Sequence, residues 1–480
     1  MNRVRACVLV GLAVAGWAAL GSGTRATTNA RTTADEPHYL MTALSLASDL
    51  DLDVADERAR GAYRDFHEVG LPTQEAIQRD GSRVSPHNPL LPALLAVPVA
   101  GLGWLGAKLA LAAVAGALAG LTLFVAEARL GVPRRLAVPI VLAAGGSAPL
   151  AVYATQVYPE IVAALAVVTA LAIVTTPAAR RSHAVALVAA VSVLPWLSVK
   201  YAPVAAALGL VALIRWPARR VVLATAAGVS GIVFAVAHLR WYGGLTPYAV
   251  GHHFADGQLD VMGEPAYGGR AARVVGLFVD RDFGIAIWQP MWLLAVPAFA
   301  TLVRRDRHRA LVLGVPALAG WLNASFVALT MHGWWFPGRQ VVVVLPCLVL
   351  AIASFARHVS IPAWVWWFAA GLGGSISAWL AVQVYVTDTR LITTFADLTH
   401  PWWVVVRSVL PDLRADRPID GIKLLMWTVA LAAVVVRPTP RRSNPSRAPV
   451  GLVAPEPASP ESSVPQPFAR ANVDLEGATP

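Results

Sequence analysis

Residues 105–135 read LGAKLALAAVAGALAGLTLFVAEARLGVPRR. From Leu105 to Ala126 the only charge is Lys108, and the stretch is otherwise Ala, Leu, Val and Gly with few polar groups. At about 1.5 Å per residue, a helix of that length crosses a hydrocarbon core of about 30 Å. Arg129, Arg134 and Arg135 follow at once. Basic residues beside an apolar span mark the cytoplasmic side of a membrane protein.

The same pattern runs outward in both directions. Hydrophobic residues make up 56% of the 480 positions and charged residues 14%, where a soluble chain carries roughly 25% charged residues. The formal charge of +11 does not point to nucleic acid, because the arginines form short clusters between apolar stretches. Those expected inside are Arg3/Arg5, Arg129/Arg134/Arg135, Arg180/Arg181, Arg215/Arg219/Arg220, Arg304/Arg305/Arg307/Arg309, Arg357 and Arg437/Arg441/Arg442. Spacing the spans between them predicts twelve helices. They cover 6–22, 105–127, 136–153, 160–177, 184–198, 202–216, 220–239, 284–302, 310–330, 341–356, 362–386 and 422–437. Both termini are then cytoplasmic. The fold class expected is an all-α polytopic membrane protein.

Residues 89–103 (PLLPALLAVPVAGLG) would invert everything downstream if counted as a further span. Short and carrying three prolines, they are expected as an interfacial or re-entrant helix. The expected organisation is a membrane domain over 1–437 and a disordered cytoplasmic tail over 438–480, rich in Pro, Ser and Arg. The domain carries outer loops at 23–104, 240–283 and 387–421. Cys7 and Cys347 lie in apolar segments, so no disulfide framework is implied.

Chemistry-bearing residues concentrate at the outer helix ends. Asp35-Glu36, in TTADEPHYL, stands just before a helix expected to begin near Pro37. Carboxylates there suit a helix N-terminus, and equally a general base beside a membrane surface. Glu160, in QVYPEIVAAL, opens an apolar helix on the same face, where an ionisable group is costly without a function. Three cations share that face: Lys200 in LPWLSVKYAP, Arg281 in LFVDRDFG and Arg339 in HGWWFPGRQ. Positive-inside bias makes outer cations uncommon; they either snorkel to headgroups or bind an anionic phosphate. For Arg339 the guanidinium fork matches phosphate oxygens. The histidines have no metal-ligand spacing, His252-His253 included, and no HExxH, CxxC, phosphate-loop or dinucleotide fingerprint is present. Most tryptophans fall near helix ends as an aromatic belt, although Trp334-Trp335 beside Arg339 could line a sugar or isoprenoid site.

Taken in order, these motifs resemble the GT-C superfamily of integral-membrane glycosyltransferases. The nearest branch is similar to the protein O-mannosyltransferases and the aminoarabinose transferases that modify lipid A. TTADEPHYL resembles the acidic motif of the first outer loop, SPHNPLLPALLA around His87 the interfacial segment, and Tyr158-Pro159-Glu160 the second acidic motif. LFVDRDFGIAIWQP and PGRQVVVVLP also resemble segments of bacterial relatives. The resemblance implies a sugar carried on polyprenyl phosphate and transferred with inversion to a glycan, lipid or protein at the outer face of a bacterial cytoplasmic membrane. It implies no nucleotide and no cofactor, the lipid-phosphate sugar being a substrate. It also implies that residues 6–20, which could pass for a signal peptide, stay as a first helix. By position Asp35 is the catalytic base, with Glu36 beside it and Glu160 as second acid, while Lys200 and Arg339, joined by Arg281 as an outer cation, meet the donor phosphate. His38, Tyr39, His87, Tyr158, His332 and Trp335 are candidate substrate contacts. A transporter or flippase of lipid-linked sugars is the main alternative, but it would place its ionisable groups nearer the bilayer midplane. A non-catalytic protein of the same fold is the other.

Overall fold

Without water in a hydrocarbon core, backbone N–H and C=O groups must bond within their own segment, so Ala/Leu/Val-rich stretches become helices. The computed structural model describes residues 2–78, 81–177, 179–250, 267–328, 330–415 and 417–436. Among them it holds α1 (Arg3–Leu20), α2 (Glu36–Ser48), α3 (Ala55–Arg60), α4 (Leu90–Phe124), α5 (Arg134–Gly145) and α6 (Leu150–Tyr153). Next come α7 (Glu160–Val174), α8 (Arg181–Leu197), α9 (Ala202–Arg215), α10 (Arg220–Tyr242), α11 (Tyr267–Ala271) and α12 (Arg273–Val279). The last six are α13 (Ala295–Arg305), α14 (Arg307–Leu322), α15 (Leu345–Ala356), α16 (Ala363–Val386), α17 (Pro401–Val409) and α18 (Pro418–Val436). The described strands are one two-residue pair, Ala76–Ile77 with Arg83–Val84. The protein is an all-α polytopic membrane protein. These elements belong to one unit, Met1–Arg441. His252, His253, the arginines at 437, 441 and 442, and the tail lie outside the described residues.

Seven helical stretches are long and apolar enough to cross a membrane, and α7 and α8 are shorter apolar helices. Their burial differs with position. α15 is buried along its whole length, whereas α10 and α18 present Val221, Val229, Ile232, Leu425 and Val429 outward, as lipid-facing surfaces do. α1 packs backbone to backbone on α4. A Cβ on Gly116 would stand 2.6 Å from the Gly11 carbonyl oxygen, and one on Gly120 would stand 2.8 Å from that of Cys7. Small residues four apart allow that approach between membrane helices.

Some predicted spans are altered. The stretch 136–153 is split, because Gly145, Gly146 and Pro149 interrupt it between α5 and α6. The stretch 284–302 is helical only from Pro290, first as a 3₁₀ turn and then as α13. Its beginning is held in turns by the Asp280 carboxylate, which accepts N–H groups from Asp282 (3.0 Å) and Phe283 (2.6 Å). The segment 89–103 is helical and is set off from the following span by non-helical Leu102 and Gly103 (φ +57°).

Several basic clusters meet at one end of the bundle. Glu127 joins Arg134 (2.7 Å) and Arg3 (3.6 Å), Arg357 donates to the Leu130 carbonyl (2.7 Å) and Arg215 to that of Val174 (2.8 Å). α1 runs from that end, at Arg3, to Leu20, beyond which the chain reaches Asp35 at the opposite end. With Cys7 replaced by serine, a cysteine at Asp49 is expected to react with a membrane-impermeant thiol reagent in intact cells. A cysteine at Arg305 should stay unlabelled until the cells are opened; the reverse labelling would place the Asp35 end inside.

Candidate functional site

The chain turns sharply into α2. Ala34 adopts φ +49°, a strained conformation for a residue with a side chain, and Asp35 follows at the N-cap of α2 with Pro37 in its first turn. Glu36, buried at the first helical position, uses both carboxylate oxygens locally. Oε2 accepts the Val157 N–H at 2.9 Å and Oε1 that of Thr33 at 3.3 Å. The Tyr158 hydroxyl adds a bond to the Thr33 carbonyl at 3.2 Å. The acidic turn is thereby fastened to the loop that carries Glu160.

Arg339 arrives from the other half of the chain. Pro337-Gly338 forms the turn before it, with Gly338 at φ +80° and tight against Ile285 and Pro149, where any Cβ would clash. Arg339 then opens a 3₁₀ helix, Arg339–Val344. Glu160 opens α7 behind Pro159, where the helix dipole favours a carboxylate. Lys200 lies in a 3₁₀ turn, Val199–Tyr201, between α8 and α9. Its carbonyl accepts the Asn323 side-chain N–H at 3.1 Å.

These four charges form one chain of contacts. Arg339 Nη2 donates to Asp35 Oδ2 at 2.8 Å and Arg339 Nε to Glu160 Oε1 at 2.9 Å. Lys200 Nζ donates to the same Glu160 oxygen at 2.7 Å. The Arg339 guanidinium also lies 4.0 Å from the centre of the Tyr158 ring and 5.2 Å from that of Trp335, within cation–π range. Glu160 is fully buried and Arg339 nearly so, while the Asp35 side chain keeps 23% exposure. Asp35 is therefore the acid of the group that a molecule outside can still touch. Burial pushes the Asp35 carboxyl up, but Arg339 and the nearby His87 outweigh it and hold the group well below the usual carboxylate range. Burial pushes neighbouring Glu36 above its ordinary value.

Histidines line the loop side. His38 Nδ1 lies 3.1 Å from Glu75 Oε1, and Arg58 donates to both Glu75 oxygens (3.0 and 3.1 Å). Burial works against Glu75, but the His38 hydrogen bond and Arg58 hold it down at about 2. His87 pairs with Gln74 at 2.9 Å, and its ring centroid lies 4.7 Å from that of Tyr39. This arrangement orders His38, Tyr39 and His87 beside Asp35.

Two sequence candidates stand elsewhere. Arg281 contacts Asp282 (3.7 Å) and Asp412 (3.5 Å), and His332 contacts Asp280 (3.7 Å). They belong to a second network that ties the 280–283 turn to α17 through Arg407, which meets Asp282 at 2.8 Å. These contacts do not include Asp35, Glu160, Lys200 or Arg339. Other neighbours escaped the sequence: Tyr153, whose hydroxyl donates to the Phe336 carbonyl, Tyr201, whose ring lies 5.1 Å from Lys200 Nζ, and Asn323. The signal present was a polar tip within an apolar run, which needs a buried partner, but nothing in one sequence says which partner.

No protein-family model and no curated protein matches the chain. Two solved structures are similar to it, both of ArnT from Cupriavidus metallidurans. The one bound to undecaprenyl phosphate shares 16% identity at a TM-score of 0.45, covering 90% of this chain and 77% of that one. The apo state shares 16% at a TM-score of 0.46, covering 89% and 75%. At that identity and TM-score the similarity carries no residue role across.

Proposed function

We propose that the protein is a membrane glycosyltransferase that moves a sugar from polyprenyl phosphate to an acceptor hydroxyl at the Asp35 end of the bundle. One observation carries the proposal: a nearly buried arginine is shared between a partly exposed aspartate and a buried glutamate, with a lysine on that same glutamate. Two carboxylates and two cations balance to zero, so the cluster accepts an added anion without accumulating negative charge first.

The donor phosphate meets the remaining N–H groups of Arg339 and Lys200. Its negative charge draws Arg339 away from Asp35, whose affinity for a proton then rises. The acceptor hydroxyl gives its proton to Asp35 as its oxygen bonds to the anomeric carbon. The bond from that carbon to the phosphate oxygen breaks, and the leaving charge rests on Arg339 and Lys200. Attack opposite the phosphate inverts the centre. Low dielectric around Glu160 strengthens these electrostatic interactions. Glu160 holds both cations toward the phosphate, and Glu36 fixes the turn that aims Asp35.

Purified full-length protein in liposomes, given a radiolabelled polyprenyl-phosphate sugar and a cell-envelope acceptor extract, should release polyprenyl phosphate and pass the label to the acceptor. Label crossing the bilayer while still lipid-linked would make the chain a transporter. Neither outcome in a folded, donor-binding protein would make it a non-catalytic relative of such enzymes.

A further inference from the structure

A cavity of about 280 Å³ lies at the Asp35 end of the bundle, lined by Arg25, Arg31 and Arg390 with Trp104, Tyr385 and Gly23. That volume lies just below the range of drug-sized ligand pockets and suits a smaller polar group. The lining carries three guanidinium groups and no carboxylate, on the face where basic residues are least expected.

The charges there are under-compensated. Arg25 and Arg31 share a single oxygen of Glu68, each at 3.1 Å. Arg390 gives its Nη1 to the carbonyls of Thr387 (2.8 Å) and Thr389 (2.7 Å), and its Nη2 stands 3.5 Å from the fully exposed Asp388. Its Nε is buried without a partner, and so is the Trp104 indole N–H. Buried donors left unpaired are costly, and both belong to the wall of the same cavity. Lys108, which donates to the Thr24 carbonyl and faces Glu36, stands behind the wall 4.3 Å from the Trp104 ring, and the Arg31 guanidinium lies 5.6 Å from that ring.

The walls are also held in place. Leu391 and Ile392 donate their N–H groups to the carbonyls of Arg25 (3.1 Å) and Ala26 (2.9 Å), joining the two arginine-bearing loops. The Tyr385 hydroxyl donates to the Leu20 carbonyl (3.0 Å) and accepts the Gly23 N–H (3.1 Å). Below this rim the apolar side chains of Leu20, Val382 and Val386 face outward from α1 and α16. A polar, cationic cup therefore stands directly above an apolar, lipid-facing wall.

We propose that this cavity binds the phosphate headgroup of a membrane amphiphile whose chains lie along α1 and α16. Arg25, Arg31 and Arg390 bind the phosphate oxygens, and a small shift of the Arg390 and Trp104 side chains would let the same oxygens accept from their unpaired N–H groups. The site shares no residue with Asp35, Glu160, Lys200 and Arg339, and it does not depend on the transferase proposal.

Native mass spectrometry of the full-length protein in detergent, with phosphatidylglycerol or phosphatidylcholine, tests the assignment. Phosphatidylglycerol should bind at least about tenfold more tightly, as several arginines facing one headgroup predict. An Arg25→Gln/Arg31→Gln double variant and Arg390→Gln should each erase most of that preference, and the corresponding lysine variants should keep much of it. Melting temperature in detergent reports folding. If Arg390→Gln does not fold, the double variant decides, since its guanidinium groups sit partly exposed at the rim. Undiminished selectivity in the folded double variant would overturn the proposal. Inorganic phosphate that competes at the lipid's own concentration would instead make this a free-anion site and remove the amphiphile.

Discussion

Arg339→Ala is expected to destroy donor turnover and to weaken the fold at the same time. Arg339 pairs with both Asp35 and Glu160. Its removal leaves two carboxylates facing each other, with Lys200 alone to compensate. Breaking a buried ion pair by deleting one partner costs about 3–5 kcal/mol, and losing a donor aimed at developing charge slows turnover roughly 10²–10³-fold. Arg339→Lys keeps the charge but cannot span two carboxylates with a planar fork, so it should recover more stability than turnover. The acid side follows from the same contact. Asp35, held low in the fold, contributes stability above about pH 4, and that contribution fades as the pH falls further. In Arg339→Ala this contribution disappears, so the variant's melting temperature should respond less to acid. Melting curves from pH 3 to 8, with single-turnover transfer at neutral pH, measure both effects. An alanine variant with wild-type rate and stability would reduce Arg339 to a surface anchor.

Asp35→Asn separates chemistry from structure. Asparagine keeps the shape and can still accept a hydrogen bond from Arg339, but it cannot take the acceptor's proton. A general base contributes about 10²–10⁴-fold, so nearly all turnover should disappear. Stability should fall less than in Arg339→Ala, because asparagine loses the ion pair but keeps a hydrogen bond to Arg339, and the Asp35 side chain makes no cap bond to lose. Donor binding should survive, since Arg339 and Lys200 remain. A folded Asp35→Asn protein transferring sugar at the wild-type rate would pass the role of base elsewhere. Glu36 is poorly placed for it, because both of its oxygens hold backbone N–H groups.

Membrane helices were legible along the chain because their cause is local. An apolar run long enough for the hydrocarbon core must satisfy its own backbone, so 105–127, 220–239 and 362–386 could be read one at a time. The position of Asp35, Glu160, Lys200 and Arg339 at segment ends was legible for the same reason, since each stands where an apolar run stops. The interruptions at Gly145–Pro149 and over 284–289 were less so. There, individual glycines and prolines and one capping carboxylate outweigh an apolar composition that still looks continuous.

What sequence alone determined is therefore where most of the apolar helices lie and which charges stand near their ends. Only the tertiary structure decided which charges meet. Residue 339 pairs with residue 35 across 304 positions, because α7, the 160 turn and the Gly338 turn pack at one bundle end. Arg281 and Arg339 look alike in sequence, outer cations beside aromatic residues, yet Arg281 is drawn to Asp282 and Asp412 instead. Pairing among buried charges depends on distances of a few ångströms between distant segments, and packing alone sets those distances.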